Sequence, residues 1–122
     1  MNIFVKFQAY IRYKKAVAVA TEKYLETGKR YFVMPTFGRG RQLVIIDREN
    51  FRLFKKRHLI SKDARVQHLI EECFYRTPYF NGKDALTKAE IAHKKRMLYI
   101  WADAEHRRAK AVKRAKRQSA NK

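Results

Sequence analysis

Acidic side chains are scarce in this sequence. Eleven Asp+Glu stand against 30 Lys+Arg in 122 residues, a formal charge of +19. A metal-dependent nuclease wants several carboxylates converging on its ions. Here Glu71 and Glu72 are adjacent, so they point to different sides of a helix, and only Asp47 and Glu49 make a plausible pair. Cysteine is rarer still. Cys73 is alone, so no internal disulfide can form, which suits a reducing cytoplasm. His58, His68, His93, His106 and Cys73 show no paired ligand spacing. No metal, no cofactor and no catalytic activity are expected. Long apolar runs are also missing: nothing approaches the roughly 20 residues that span a bilayer. Lys6 and Arg12 interrupt the apolar start too early for a signal peptide, and no membrane partner is expected.

What is present is apolar content and positive charge. Hydrophobic residues make up 46% of the chain, enough for the modest core of one domain. The charge is uneven. Residues 1–27 carry a net +3, residues 28–61 a net +7, residues 62–86 none, and residues 87–122 a net +9. Two basic blocks therefore flank a neutral one. Such an excess repels itself in a folded chain unless a polyanion lies nearby, and nucleic acid is the commonest.

The pattern predicts an α+β fold: a long N-terminal helix, one antiparallel β-hairpin, two short helices and a long basic C-terminal helix. Ile3, Tyr10, Val17 and Tyr24 recur every seventh residue, and Phe4, Ile11, Ala18 and Leu25 do the same one position on. With Phe7 they form one apolar face of a helix over 2–27, read as its core side, with Gly28 as its stop. Tyr31–Pro35 and Leu43–Ile46 flank a loop with Gly38 and Gly40, the pattern of a hairpin. Pro35 belongs at a strand end, and the unbroken apolar run Leu43–Ile46 suits a strand covered on both faces. Asp47 caps a helix from Arg48 to about His58. Ser61 and Asp63 can start a third helix, whose Val66, Leu69, Ile70, Cys73 and Phe74 are apolar at helical spacing, making Cys73 an inert core thiol. Thr87 and Glu90 form a capping box for the last helix. Residues 1–106 form the compact domain and 107–122 a basic helical tail that frays towards its end.

Candidate contacts to nucleic acid follow from this layout. Arg39 and Arg41 at the hairpin tip can fork onto phosphate oxygens, and Phe37 beside them can stack on a base. Arg48, Arg52 and Lys56 share one row of the second helix. Arg107, Arg108, Lys110, Lys113, Arg114, Lys116 and Arg117 alternate with alanine and contain no acid, which suits a helix against a phosphate backbone. Nothing in them specifies base readout, DNA or RNA. Phe74, Tyr75, Tyr79 and Phe80 offer a protein-contact surface in the neutral block.

The segments Tyr31–Thr36, Leu43–Arg48 and Glu72–Tyr79 together resemble small uncharacterised proteins of Bacteroides-type bacteria and their phages. The likeness covers about the middle half of the chain. It implies a cytoplasmic accessory protein of a bacterium or phage, and it brings no activity and no site residue. The expected function is therefore non-catalytic nucleic-acid binding, mainly through phosphate contacts. The alternative is a structural or adaptor protein of a phage particle or other assembly.

Overall fold

The computed structural model describes residues 2–36, 42–79 and 81–120. Helix α1 runs over Ile3–Thr27. The Asn2 side chain accepts from the Phe4 N–H at its start, and Gly28 ends it in the left-handed conformation with φ 73°. That conformation is cheap only for glycine. Strand β1 (Phe32–Pro35) pairs antiparallel with β2 (Leu43–Ile46), with Phe32 opposite Ile46 and Pro35 opposite Leu43. Pro35 closes its strand, where its missing N–H breaks no ladder.

Four further elements complete the chain: helix α2 (Arg48–Lys56), helix α3 (Val66–Glu72), strand β3 (Tyr75–Arg76) and helix α4 (Lys88–Ala120). The hairpin is thus part of a three-stranded antiparallel sheet in the order β2-β1-β3, which makes β1 the central strand. Two residues containing an arginine carry too little β-pattern to announce β3. Asp47 caps α2 through its side chain, 2.8 Å from the Asn50 N–H. Past α2, His58 takes φ 59° while its own N–H reaches Lys55 O and the Leu59 N–H reaches Phe54 O. This is a Schellman end built without glycine. Helix α3 starts later than Ser61 or Asp63. Ser61 Oγ instead accepts from the Asp63 N–H in a turn, and the helix begins after Arg65.

The alternation of the sheet residues divides the core. Val33, Leu43, Ile45 and Tyr75 meet Ala16 and Ala20 of α1. Phe32, Met34, Val44 and Ile46 meet Phe51 of α2 and Leu69 and Cys73 at α3. Both faces are therefore covered, as the apolar run of β2 implied. A third cluster joins Val5, Ala9 and Tyr13 of α1 to Leu98 and Ala102 of α4, with Phe74 against Trp101 at 5.4 Å between ring centroids. Burying each such large apolar side chain contributes about 1.5–3 kcal/mol.

The buried face of α1 is rotated from the one expected: Tyr10, Val17 and Tyr24 are half-buried at its edge, with Val17 and Tyr24 packed on the core, whereas the neighbouring apolar column faces out. Val5, Ala9, Tyr13, Ala16 and Ala20 point inward, while Ile3, Phe4, Phe7, Ile11 and Leu25 are exposed. Phe4 retains 75% and Leu25 72% of their surface. Small alanines let the helix lie close to the sheet, and close approach won over side-chain hydrophobicity. The more apolar column is left outside.

Candidate nucleic-acid interface

Helices α1 and α4 run antiparallel. Lys6 lies over the Tyr99 ring, whereas Lys95 lies over Tyr10 and Tyr13. The start of α1 therefore meets α4 near Ala102, and α4 continues past it. Residues 107–120 remain helical and, Val112 apart, exposed. At 1.5 Å per residue these 14 residues extend about 21 Å. Arg107, Lys110, Lys113, Arg114 and Arg117 are spaced i, i+3, i+6, i+7 and i+10, so they line one side of that extension.

The ion pairs sort these cations. Arg107 pairs with Asp103 at 3.2 Å and Arg108 with Glu105, both one turn back on α4. Such exposed pairs hold little energy, about 0–1 kcal/mol. Lys110, Lys113, Arg114, Lys116 and Arg117 have no ion pair or hydrogen bond among the described residues. They are the part of the predicted tail that is free to meet an external anion.

On α2, Arg48, Arg52 and Lys56 are all exposed and lie in one row. Arg48 and Arg52 line a cleft of about 400 Å³, together with Lys29, Arg30, Asp47, Glu49, Phe32, Val66, Ile70 and Tyr79. Lys56 lies outside that lining. Glu49 is bound to Lys29 at 3.0 Å, and this hydrogen bond raises the lysine's pKa. Arg30 stacks 4.3 Å from the centroid of Tyr79, donates to Thr77 O at 3.0 Å and pairs with Asp84. The Arg30 hydrogen bond holds the Asp84 carboxyl below the usual range, with the Arg76 charge adding to it. Phe37, Arg39 and Arg41, predicted for the hairpin tip, lie outside the described residues, as does Phe80.

The protein-contact surface predicted in the neutral block is corrected. Phe74 is buried against α1 and α4, and Tyr75 packs between α1 and the sheet. Of the described residues proposed for it, Tyr79 alone is exposed, at 46%. Position 74 follows straight on from α3, so its apolar character serves the core.

Three buried polar groups escaped the sequence reading. Lys94 is 7% exposed, and its ammonium donates to Cys73 O at 2.7 Å, Glu71 O at 3.3 Å and Ile70 O at 3.4 Å. It satisfies the free carbonyls at the end of α3. Arg76, also buried, bonds Ile70 O, Asp84 and Glu90. Thr77 is a third, its hydroxyl accepting from the Tyr31 N–H at 2.8 Å. The Glu90 carboxyl sits below its ordinary pKa, chiefly because the Thr87 backbone N–H of the capping box donates to it. Burial raises the Cys73 thiol pKa, so this cysteine is an inert packing group. Among the described residues no group of His, Cys, Asp and Glu could hold a metal ion, and no helix is long and apolar enough to cross a membrane. No family model, curated protein or solved structure matches this chain.

Proposed function

We propose that this protein is a non-catalytic nucleic-acid-binding accessory protein of a bacterium or phage, acting in the cytoplasm and binding mainly through phosphate contacts. One observation carries the reading. The last 14 described residues form a helix without acid, set beyond the compact body, whose five free cations have nothing in the described chain to neutralise them. Holding such a helix out costs self-repulsion, which a phosphate backbone relieves by exchanging its counterions for these side chains. Arg48, Arg52 and Lys56 add a second row on α2. No base-reading arrangement accompanies them, so the proposed binding is indifferent to sequence.

The test is what accompanies the protein from the cell. Its absorbance ratio should indicate bound nucleic acid, which nuclease and high salt remove. A protein that purifies free of nucleic acid, and retards neither duplex nor single strand at low salt, contradicts the proposal.

A second reading, a structural or adaptor protein of a phage particle or other assembly, is favoured by the exposed apolar row of α1. Phe4, Phe7, Ile11 and Leu25 lie on the side of that helix turned away from the core. Apolar rows of this length mark contact surfaces. Assembly that persists in high salt and is lost in a Phe4→Gln/Phe7→Gln variant would favour this reading over the first.

A further inference from the structure

We propose that the cleft between α2 and the segment after α1 is a binding site for one nucleoside monophosphate unit. The inference rests on the nucleic-acid reading and deepens it.

The chemistry of the lining is divided. Its open apolar lining is Val66 and Ile70, since Phe32 is buried with Arg30 over its ring, 5.4 Å from the centroid, and Tyr79 keeps nearly half its surface open. Its charged groups are Lys29, Arg30, Arg48 and Arg52 against Asp47 and Glu49. Both carboxylates have internal partners. Asp47 caps α2, and Glu49 holds Lys29. Arg30 is held by Asp84 and by the Thr77 carbonyl. Arg48 and Arg52 remain, with no hydrogen bond or ion pair among the described residues. They are one turn apart on the same face of α2, close enough for two guanidinium groups to share one phosphate.

A purely apolar guest would leave both guanidinium groups unanswered, and a bare phosphate would leave the apolar lining empty. A planar base joined to a phosphate answers both: the base lies on that lining and against Tyr79, and the phosphate lies between Arg48 and Arg52. A volume of about 400 Å³ falls within the usual range of small-molecule sites. Arg30 lies over both the Phe32 and the Tyr79 rings, so the base takes the face of Tyr79 that Arg30 leaves open, on a ring already ordered by that contact.

The same chemistry is presented by a free nucleotide and by the phosphorylated end of a single strand. Calorimetry with adenosine 5′-monophosphate on the full-length protein tests the site. Saturable binding is expected, with adenosine and inorganic phosphate each much weaker. Arg48→Gln/Arg52→Gln should weaken it roughly 10- to 100-fold, and Tyr79→Leu roughly 5- to 100-fold. All three side chains are exposed, so the fold should survive, as circular dichroism would verify. Neutralising Lys110, Lys113, Arg114 and Arg117 to glutamine should leave binding of the monophosphate unchanged.

Competition by a 5′-phosphorylated oligonucleotide would identify a strand end as the natural source. Failure to compete while the monophosphate binds would identify the free nucleotide, and either outcome upholds the site. No saturable binding, or equal binding by the Arg48→Gln/Arg52→Gln variant, overturns it. The two proposals fail separately. Retained duplex binding without monophosphate binding removes this site alone. Monophosphate binding without affinity for any longer nucleic acid removes the function proposed above and leaves the site.

Discussion

The Lys94 ammonium donates to the Cys73 carbonyl at 2.7 Å, and through this contact the last helix closes the exposed end of the third. Two further carbonyls of α3, those of Ile70 and Glu71, lie within reach of the same nitrogen. One buried cation therefore answers three acceptors that have no helical partner. Replacing it with Met keeps the stem's packing but strips the ammonium from the Cys73 and Glu71 carbonyls, while Ile70 O keeps Arg76. Lys94→Met should lose about 1–3 kcal/mol, a fall in Tm of several degrees in a thermal scan. An unchanged Tm would mean that water serves the carbonyls equally well.

The exposed face of α1 offers a contrast that tests its orientation. Leu98 is fully buried against α1, and Leu98→Ala should cost about 2–5 kcal/mol. Phe7, 60% exposed, lies on the opposite side of α1 from Val5 and Ala9. Phe7→Gln should change stability by no more than about 0.5 kcal/mol. If Phe7→Gln proves the more damaging substitution in urea denaturation, the face assignment is wrong.

Acid should weaken the fold through Asp84 and Glu90. Both have folded pKa values below their ordinary ones, so their contribution is complete above the unfolded value near 4 and is lost as pH falls through the folded value. Tm should accordingly be level from about pH 7 to 5 and drop as pH falls below about 4. Asp84→Asn should start lower at neutral pH, because Arg30 and Arg76 lose a shared carboxylate, and should drop less on acidification. A variant that follows the full acid limb of the parent would show that Asp84 is not responsible.

Local features were legible in the sequence, and long-range ones were not. The Gly28 stop, the Asp47 cap and the Thr87–Glu90 box each depend on residues within a turn of each other, and each stands where the pattern put it. The hairpin strands likewise follow from their own composition. The face of α1 was misread in part: Tyr10, Val17 and Tyr24 do border the core, but Phe4, Ile11 and Leu25 outweigh Ala9, Ala16 and Ala20 in hydrophobicity although the alanines allow the closer approach. Lys94 and Arg76 resemble surface charges in a basic chain, and only the fold brings Cys73 and Asp84 to them. The Arg48–Arg52 row was readable from its four-residue spacing. The cleft it borders was not, since its other wall comes from Lys29, Arg30 and Tyr79, distant in the chain.

The most direct test of the account is the salt dependence of duplex binding, measured as log Kobs against log salt between about 50 and 200 mM. Five free cations on the extended part of α4 each release about 0.9 of a counterion, so the slope should be roughly −4.5 or steeper. Glutamine at Lys110, Lys113, Arg114 and Arg117 should make it shallower by roughly 3–4, with helix content retained. A slope near zero, or one that the four substitutions leave unchanged, would contradict phosphate binding by this helix.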